Sequence, residues 1–233
     1  CGAAAALGVV SILGPRKGKY GYDGSVNPMP GSNIPMAALG VWILWLGWFG
    51  FNGGSELAVA SEGSAIAVSQ VFMNTNMAAA GGVVAALLVS LIMTGKMDVT
   101  MAMNGAIAGL VAITADPLSP SGGMAILVGA IGGVIVYFSM LYLEKSGIDD
   151  PVGAISAHGT VGIFGVLGVS FTGGASFVTQ LIGVCAIAGF TFIMSYLTTL
   201  AINTVMPIRA TDEEQDMGLD VSEIGIEAYP EFK

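Results

Sequence analysis

The sequence predicts an all-α membrane protein, a polytopic bundle of transmembrane helices. Composition, the length of its apolar runs and the placement of its charges all point there. Of 233 residues, 54% are hydrophobic and 10% are charged, against roughly 25% charged in a soluble domain. A mean hydropathy of +0.80 describes a chain solvated by lipid. The apolar runs reach the roughly 20 helical residues that a hydrocarbon core about 30 Å thick demands. They show neither the alternation of half-buried strands nor the polar stripe of soluble helices. The 35 glycines lie inside Ala/Val/Ile/Leu runs, where they let helices approach closely. A net charge of −9 argues against a nucleic-acid partner. Two cysteines, Cys1 and Cys185, make neither a disulfide framework nor a metal site.

Taken in order, residues 1–13 form an apolar stub that rises only about 20 Å as a helix. That is too short to cross, so the stub reads as the second half of a span, and the bundle is expected to be incomplete at its N-terminus. A mature lipoprotein beginning at Cys1 would carry a polar tether here instead of an apolar run. A polar loop covers 14–34. Six spans follow, expected at 35–55, 64–94, 99–116, 122–143, 151–171 and 176–206, the third at the short end. Pro117 and Pro120 mark one turn. Pro151 opens the fifth span, where proline costs least, and Pro207 stops the sixth. The division is therefore a transmembrane pore domain over 1–206 and a tail over 207–233.

Charge placement tests this division independently. The basic residues Arg16, Lys17 and Lys19, then Lys96, then Lys145, then Arg209 and Lys233 occupy alternate connections, and the intervening turns hold none. Lys and Arg collect in cytoplasmic loops, so loop 14–34 and the C-terminus are both expected on the cytoplasmic side. The acidity is local: 207–233 carries eight carboxylates against Arg209 and Lys233. Its Leu219, Val221, Ile224, Ile226 and Tyr229 are more apolar than a solvating tail needs, so the tail is expected to dock on a surface.

One ionisable residue falls inside a span. His158, in Asp149-Asp150-Pro151-Val-Gly-Ala-Ile-Ser-Ala-His158-Gly-Thr-Val-Gly, lies about 10 Å along a helix counted from Pro151. An intramembrane ionisable group is a functional candidate by default. A neutral ring with one donor and one acceptor nitrogen suits a small neutral permeant or a proton relay, not a strongly bound cation. Uncharged polar residues give a second set: Asn74, Thr75 and Asn76 in the second span and Asn104 in the third, either lining a pore or joining helices. Gly105 and Gly109 read as packing. Trp42, Trp45 and Trp48 suit an interfacial belt or a subunit contact, and no site role is assigned to them. A single histidine, with no intramembrane carboxylate pair and no Cys/His cluster, leaves little for an enzyme to use and calls for no cofactor or metal.

Several segments, in order, resemble the ammonium transporter (Amt/Mep/Rh) family. They are Gly14-Pro15-Arg16; Gly47-Trp-Phe-Gly-Phe51-Asn52-Gly-Gly-Ser55; Phe72-Met-Asn74-Thr75; Asn104-Gly-Ala-Ile-Ala-Gly-Leu-Val; Asp149-Asp150-Pro151 with Ala157-His158-Gly159; and Gly218-Leu219-Asp220-Val-Ser with Glu227-Ala-Tyr229. The resemblance implies the ammonium transporter fold, an eleven-helix pore in a plasma-membrane homotrimer. This chain would supply the end of helix 5 and helices 6 to 11.

It implies ammonium transport: the ion is deprotonated at an outer vestibule, and ammonia crosses a hydrophobic pore lined by two histidines. His158 resembles the second of these, and Phe72 a phenylalanine gating the outer mouth. Asp150 resembles an acidic residue at the cytoplasmic end of the histidine's helix. Gly218, Asp220 and Tyr229 match a regulatory tail that couples subunits and answers to cytoplasmic P-II signalling proteins. By the same likeness the first pore histidine would lie just before Cys1, so this chain alone lacks part of the pore and is expected not to transport. Asn104 stands where serine is frequent, and Ile224 where histidine is. The alternative is an ammonium sensor that uses the same pore fold to signal to a cytoplasmic partner.

Overall fold

A computed structural model describes residues 1–231, and Lys233 of the basic set lies outside them. The chain is helical almost throughout: α1 (Gly2–Leu13), α2 (Ile34–Gly54), α3 (Glu62–Thr94), α4 (Val99–Thr114), α5 (Gly122–Lys145), a π-helical turn (Ile155–Thr160) running into α6 (Val161–Thr172), α7 (Phe177–Val205), α8 (Asp212–Met217) and a second π-helical turn (Asp220–Ile224). Among the described residues β pairing is confined to an isolated bridge between Tyr20 and Val26 in the first loop. The helix ends lie within four residues of the expected span ends.

Local chemistry starts these helices. Asn33, Ser61, Asp98, Ser121, Ser176 and Thr211 each accept a backbone N–H from the first turn of the helix that follows, satisfying donors that a helix start leaves open. Thr211 and Glu214 complete a capping box on α8. Gly95, at φ 74°, closes α3 in the left-handed conformation that glycine adopts without strain.

Two features of the expected division change. Among the described residues five helical segments are long and apolar enough to cross a bilayer, the π-helical turn and α6 counting as one. The remaining span, α4, has 16 residues, about 24 Å at 1.5 Å each. It ends at Thr114 rather than 116, and its residues 105–113 are buried by protein rather than facing lipid. The second change concerns Pro151. It does not open a span; it sits in a turn, and the helix that carries His158 begins at Ile155. Gly153 makes that turn at φ 73°, with Met140 and the Asn104 side chain packed where a Cβ would stand.

The core is a slab of α3, α4 and α5 joined backbone to backbone. A Cβ at Gly82 would overlap the carbonyl of Gly105, one at Gly109 or Gly129 the carbonyl of Ala78, and one at Gly133 the carbonyl of Gly82. Gly105 and Gly109 are thus packing residues, as expected from their small-xxx-small spacing. Around this slab Leu110, Val111, Val136, Ala157 and Val161 make one apolar core. In contrast, α2 and α7 leave Trp42, Leu46, Ile182 and Phe190 exposed, as helices facing lipid or another subunit do.

Candidate functional site

His158 is the fourth residue of the π-helical turn. Such turns insert one extra residue and are frequent at functional sites. Asp150 starts it: its Oδ2 accepts the backbone N–H of Ser156 at 3.1 Å. The imidazole projects into a cleft of about 910 Å³ between α1, α2, α4 and α6, whose wall includes Trp48, Phe51, Val111, Thr114 and Gly162. It also borders a second, apolar cavity of about 520 Å³ between α1, α6 and α7. The ring therefore stands in the partition between two cavities.

Trp48 fixes the other side of that ring. The indole lies nearly parallel to the imidazole, centroids 6.0 Å apart and planes 18° apart. Its Nε1–H donates to Thr114 Oγ1 at 2.8 Å, and Thr114 in turn donates to the Leu110 carbonyl at 2.7 Å. An indole N–H withdrawn from water usually finds such a partner; in the half-buried Trp48 it fixes the orientation of the ring. Phe51 packs on Trp48 at 5.6 Å, extending the aromatic wall. Trp48, Phe51 and Thr114 were not among the expected site residues. The signal for the two aromatics was their density at 42–51, but nothing local names a partner 110 residues away, and nothing in the sequence marks Thr114.

The remaining candidates fall elsewhere. Phe72 packs against Phe49 at 5.4 Å and over Gly53, and it is absent from the walls of both cavities that His158 borders. Asn74 is fully buried and donates to the carbonyls of Pro117 (3.0 Å) and Pro120 (2.7 Å), so it ties the α4–α5 turn to α3. Thr75 accepts from Asn52 at 3.0 Å, and Asn76 accepts from Trp45 Nε1 at 3.2 Å; both join α3 to α2. Asn104 donates to the Thr100 carbonyl and abuts Gly153, beside the turn that precedes His158. The amide N–H groups of Asn52, Asn74 and Asn104 find a hydroxyl or backbone carbonyl, as apolar surroundings demand. Among the described residues the buried Oδ1 atoms of Asn52 and Asn74 have no hydrogen-bond partner.

At the basic end of the bundle, loop 14–34 gathers the neighbouring segments. Arg16 grips Asp149 through Nε and Nη2, both at 2.8 Å, and its backbone N–H adds a third bond at 2.9 Å. These bonds hold the Asp149 carboxyl below its ordinary value, the guanidinium contact being the largest cause. Lys19 pairs with Glu144, and Tyr20 donates to the Glu144 carbonyl at 2.9 Å. The tail docks here: Lys17 pairs with Asp216 at 2.6 Å, its N–H donates to Gln215, and Arg209 donates to the Leu13 carbonyl.

Within the tail, Asp220 accepts N–H bonds from Ala228 and Val221, at 2.8 and 2.9 Å. The first of these does most to hold its carboxyl below the ordinary value. Gly218 precedes it at φ 96°, with Asp220 packed where a Cβ would stand. Tyr229 follows Ala228 directly in the chain.

The Ammonium Transporter Family model matches residues 1–229. The chain is 38% identical over 248 residues to "Ammonium transporter Amt2" of Archaeoglobus fulgidus, covering 97% of this chain and 52% of that protein. It is 39% identical over 240 residues to "Ammonium transporter Amt2" of Methanocaldococcus jannaschii, covering 97% and 53%. Among solved structures it is similar to "Sensor Amt Protein", with a TM-score of 0.89 and 35% identity over 95% of this chain and 57% of that one. It is also similar to Candida albicans Mep2, with a TM-score of 0.78 and 26% identity over 99% and 55%. The chain spans about half the length of the curated relatives it matches.

Proposed function

The chain belongs to the ammonium transporter family, and we propose that its helices form one wall of a pore that passes ammonia derived from ammonium, with His158 at the narrow part. The observation that carries this is the imidazole held flat against Trp48 in the partition between two largely apolar cavities. A neutral ring there offers one donor and one acceptor nitrogen to a small molecule that both donates and accepts. The apolar walls make passage of an unshielded cation costly, which favours loss of a proton before the histidine is reached. We assign the basic end, with loop 14–34 and the tail, to the cytoplasm. The pore is completed by family segments other than these 233 residues, in a plasma-membrane homotrimer.

The test uses the pore-forming protein that carries this sequence, reconstituted in proteoliposomes under an ammonium gradient. His158→Ala or His158→Asp is expected to alter ammonium flux or its selectivity over potassium. Unchanged flux and selectivity would overturn the role of His158. Current measured in the same vesicles separates electroneutral from electrogenic passage.

A second reading, an ammonium sensor, is favoured by the likeness to the solved "Sensor Amt Protein" and by the tail seated on the loop that grips Asp149. Occupancy of the pore would then be reported through tail release to a cytoplasmic partner such as a P-II protein. Ammonium-dependent protease accessibility of the tail without net flux would distinguish it.

A further inference from the structure

Three hydroxyls converge behind His158. Ser139 of α5 donates to Ser156 Oγ at 3.0 Å and shares a hydrogen bond of 2.8 Å with Thr160 Oγ1. Ser156 is fully buried and Ser139 is 8% exposed. A hydroxyl in apolar surroundings costs free energy unless it is partnered, so the convergence binds α5 to the π-helical turn. Ser156 and Thr160 flank His158 by two residues on either side. Two residues are roughly half a helical turn, so the clasped face lies opposite the imidazole. The clasp presses the back of the turn onto α5 while its front presents the ring to Trp48.

A π-helical turn holds one residue more than the α register and is rare, occurring mostly as a single turn joined to an α-helix. Here Asp150 holds its start, at the Ser156 N–H, and Ser139 holds its back. We propose that Ser139 is a positioning residue for His158, acting through Ser156 and Thr160 to keep the turn in its π register and the imidazole stacked nearly parallel to Trp48. The proposal rests on the pore reading above for its consequence in transport, but not for its geometry.

Ser139→Ala is introduced into the pore-forming protein that carries this sequence, with two measurements. The first is ammonium flux against concentration in proteoliposomes. The second is the 15N signal of the His158 imidazole in labelled protein, assigned by comparison with His158→Asn. Maximal flux is expected to fall about tenfold with the half-saturating concentration unchanged, and the His158 signal to shift and broaden. A fall in flux with an unaltered His158 signal overturns the positioning role and leaves the pore reading intact. A shifted His158 signal in a protein whose unmutated form passes no ammonium upholds the positioning and overturns the pore reading. Thr160→Val keeps the side-chain shape and removes one bond of the clasp. It is expected to lower maximal flux about threefold with a smaller shift of the same signal, and an unchanged signal overturns the proposal even if Ser139→Ala does not fold.

Discussion

Arg16 and Asp149 stand 133 positions apart in the chain and close on each other through two parallel N–H···O bonds, fork to carboxylate. The Asp149 side chain is 4% exposed and that of Arg16 41%, so the acid depends on its partner more than the base does. Arg16→Ala is expected to cost about 2 kcal/mol by stranding a buried carboxylate, read as a lower melting temperature in detergent. The pH dependence follows from the depressed carboxyl. Its contribution is fully present above the unfolded carboxylate value near 3.9 and is lost as pH falls through the lower native value. The melting-temperature gap between the unmutated protein and Asp149→Asn is therefore expected to be constant near neutrality and to shrink below about pH 5.

Trp48 meets His158 by its face and Thr114 by its edge, and the two contacts can be separated. Trp48→Phe keeps an aromatic face and loses the hydrogen bond; Trp48→Leu loses both. On the pore reading, flux is expected to fall about threefold for phenylalanine and about tenfold or more for leucine, following the worth of one aromatic contact and one hydrogen bond. Equal flux in all three proteins refutes a role for the indole.

The seam between α3 and α5 predicts a sharp contrast between two glycines. Gly129→Ala drives a methyl into the Ala78 carbonyl and is expected to destabilise by about 3 kcal/mol or more. Gly189→Ala on α7 meets open space and is expected to shift stability by no more than about 0.5 kcal/mol. Thermal unfolding of the two variants side by side checks both.

Lys17 and Asp216 are exposed partners, so their bond is screened by salt. Lys17→Glu is expected to leave the melting temperature of the bundle unchanged and to raise protease cleavage near α8 about threefold at low salt. High salt is expected to do the same to the unmutated protein. Joining Lys17→Glu with Asp216→Lys is expected to restore protection, and failure to do so refutes the pairing in solution.

Helix positions were legible because lipid leaves little choice: apolar length, turn prolines and alternating basic loops each mark the same boundaries. His158 was legible for the same reason, as an ionisable group where none comes cheaply. Its surroundings were not. Pro151 announces a helix start in general, yet Gly153 at positive φ and the Asp150 cap postpone that start to Ile155. Asn74 declares by its amide that it needs partners, but the Pro117 and Pro120 carbonyls it found are set by tertiary packing. Trp48 looked like its neighbours Trp42 and Trp45, since the rotation of α2 against α4 decides which indole meets His158. Those choices are made between elements, at separations that no local pattern spans.

Where α3, α4 and α5 touch, main chain rests on main chain, with no layer of side chains to change rotamer or slide. Helices separated by side chains can shear past one another by small repacking steps; these cannot without first parting. The three helices form one block; α2 meets it through side chains, while α1 and α7 reach it only through the π-helical turn and α6, so any opening of the bundle has to be accommodated by those outer elements. On the pore reading proposed above, a slit that selects so small a molecule gains most from a wall that does not breathe.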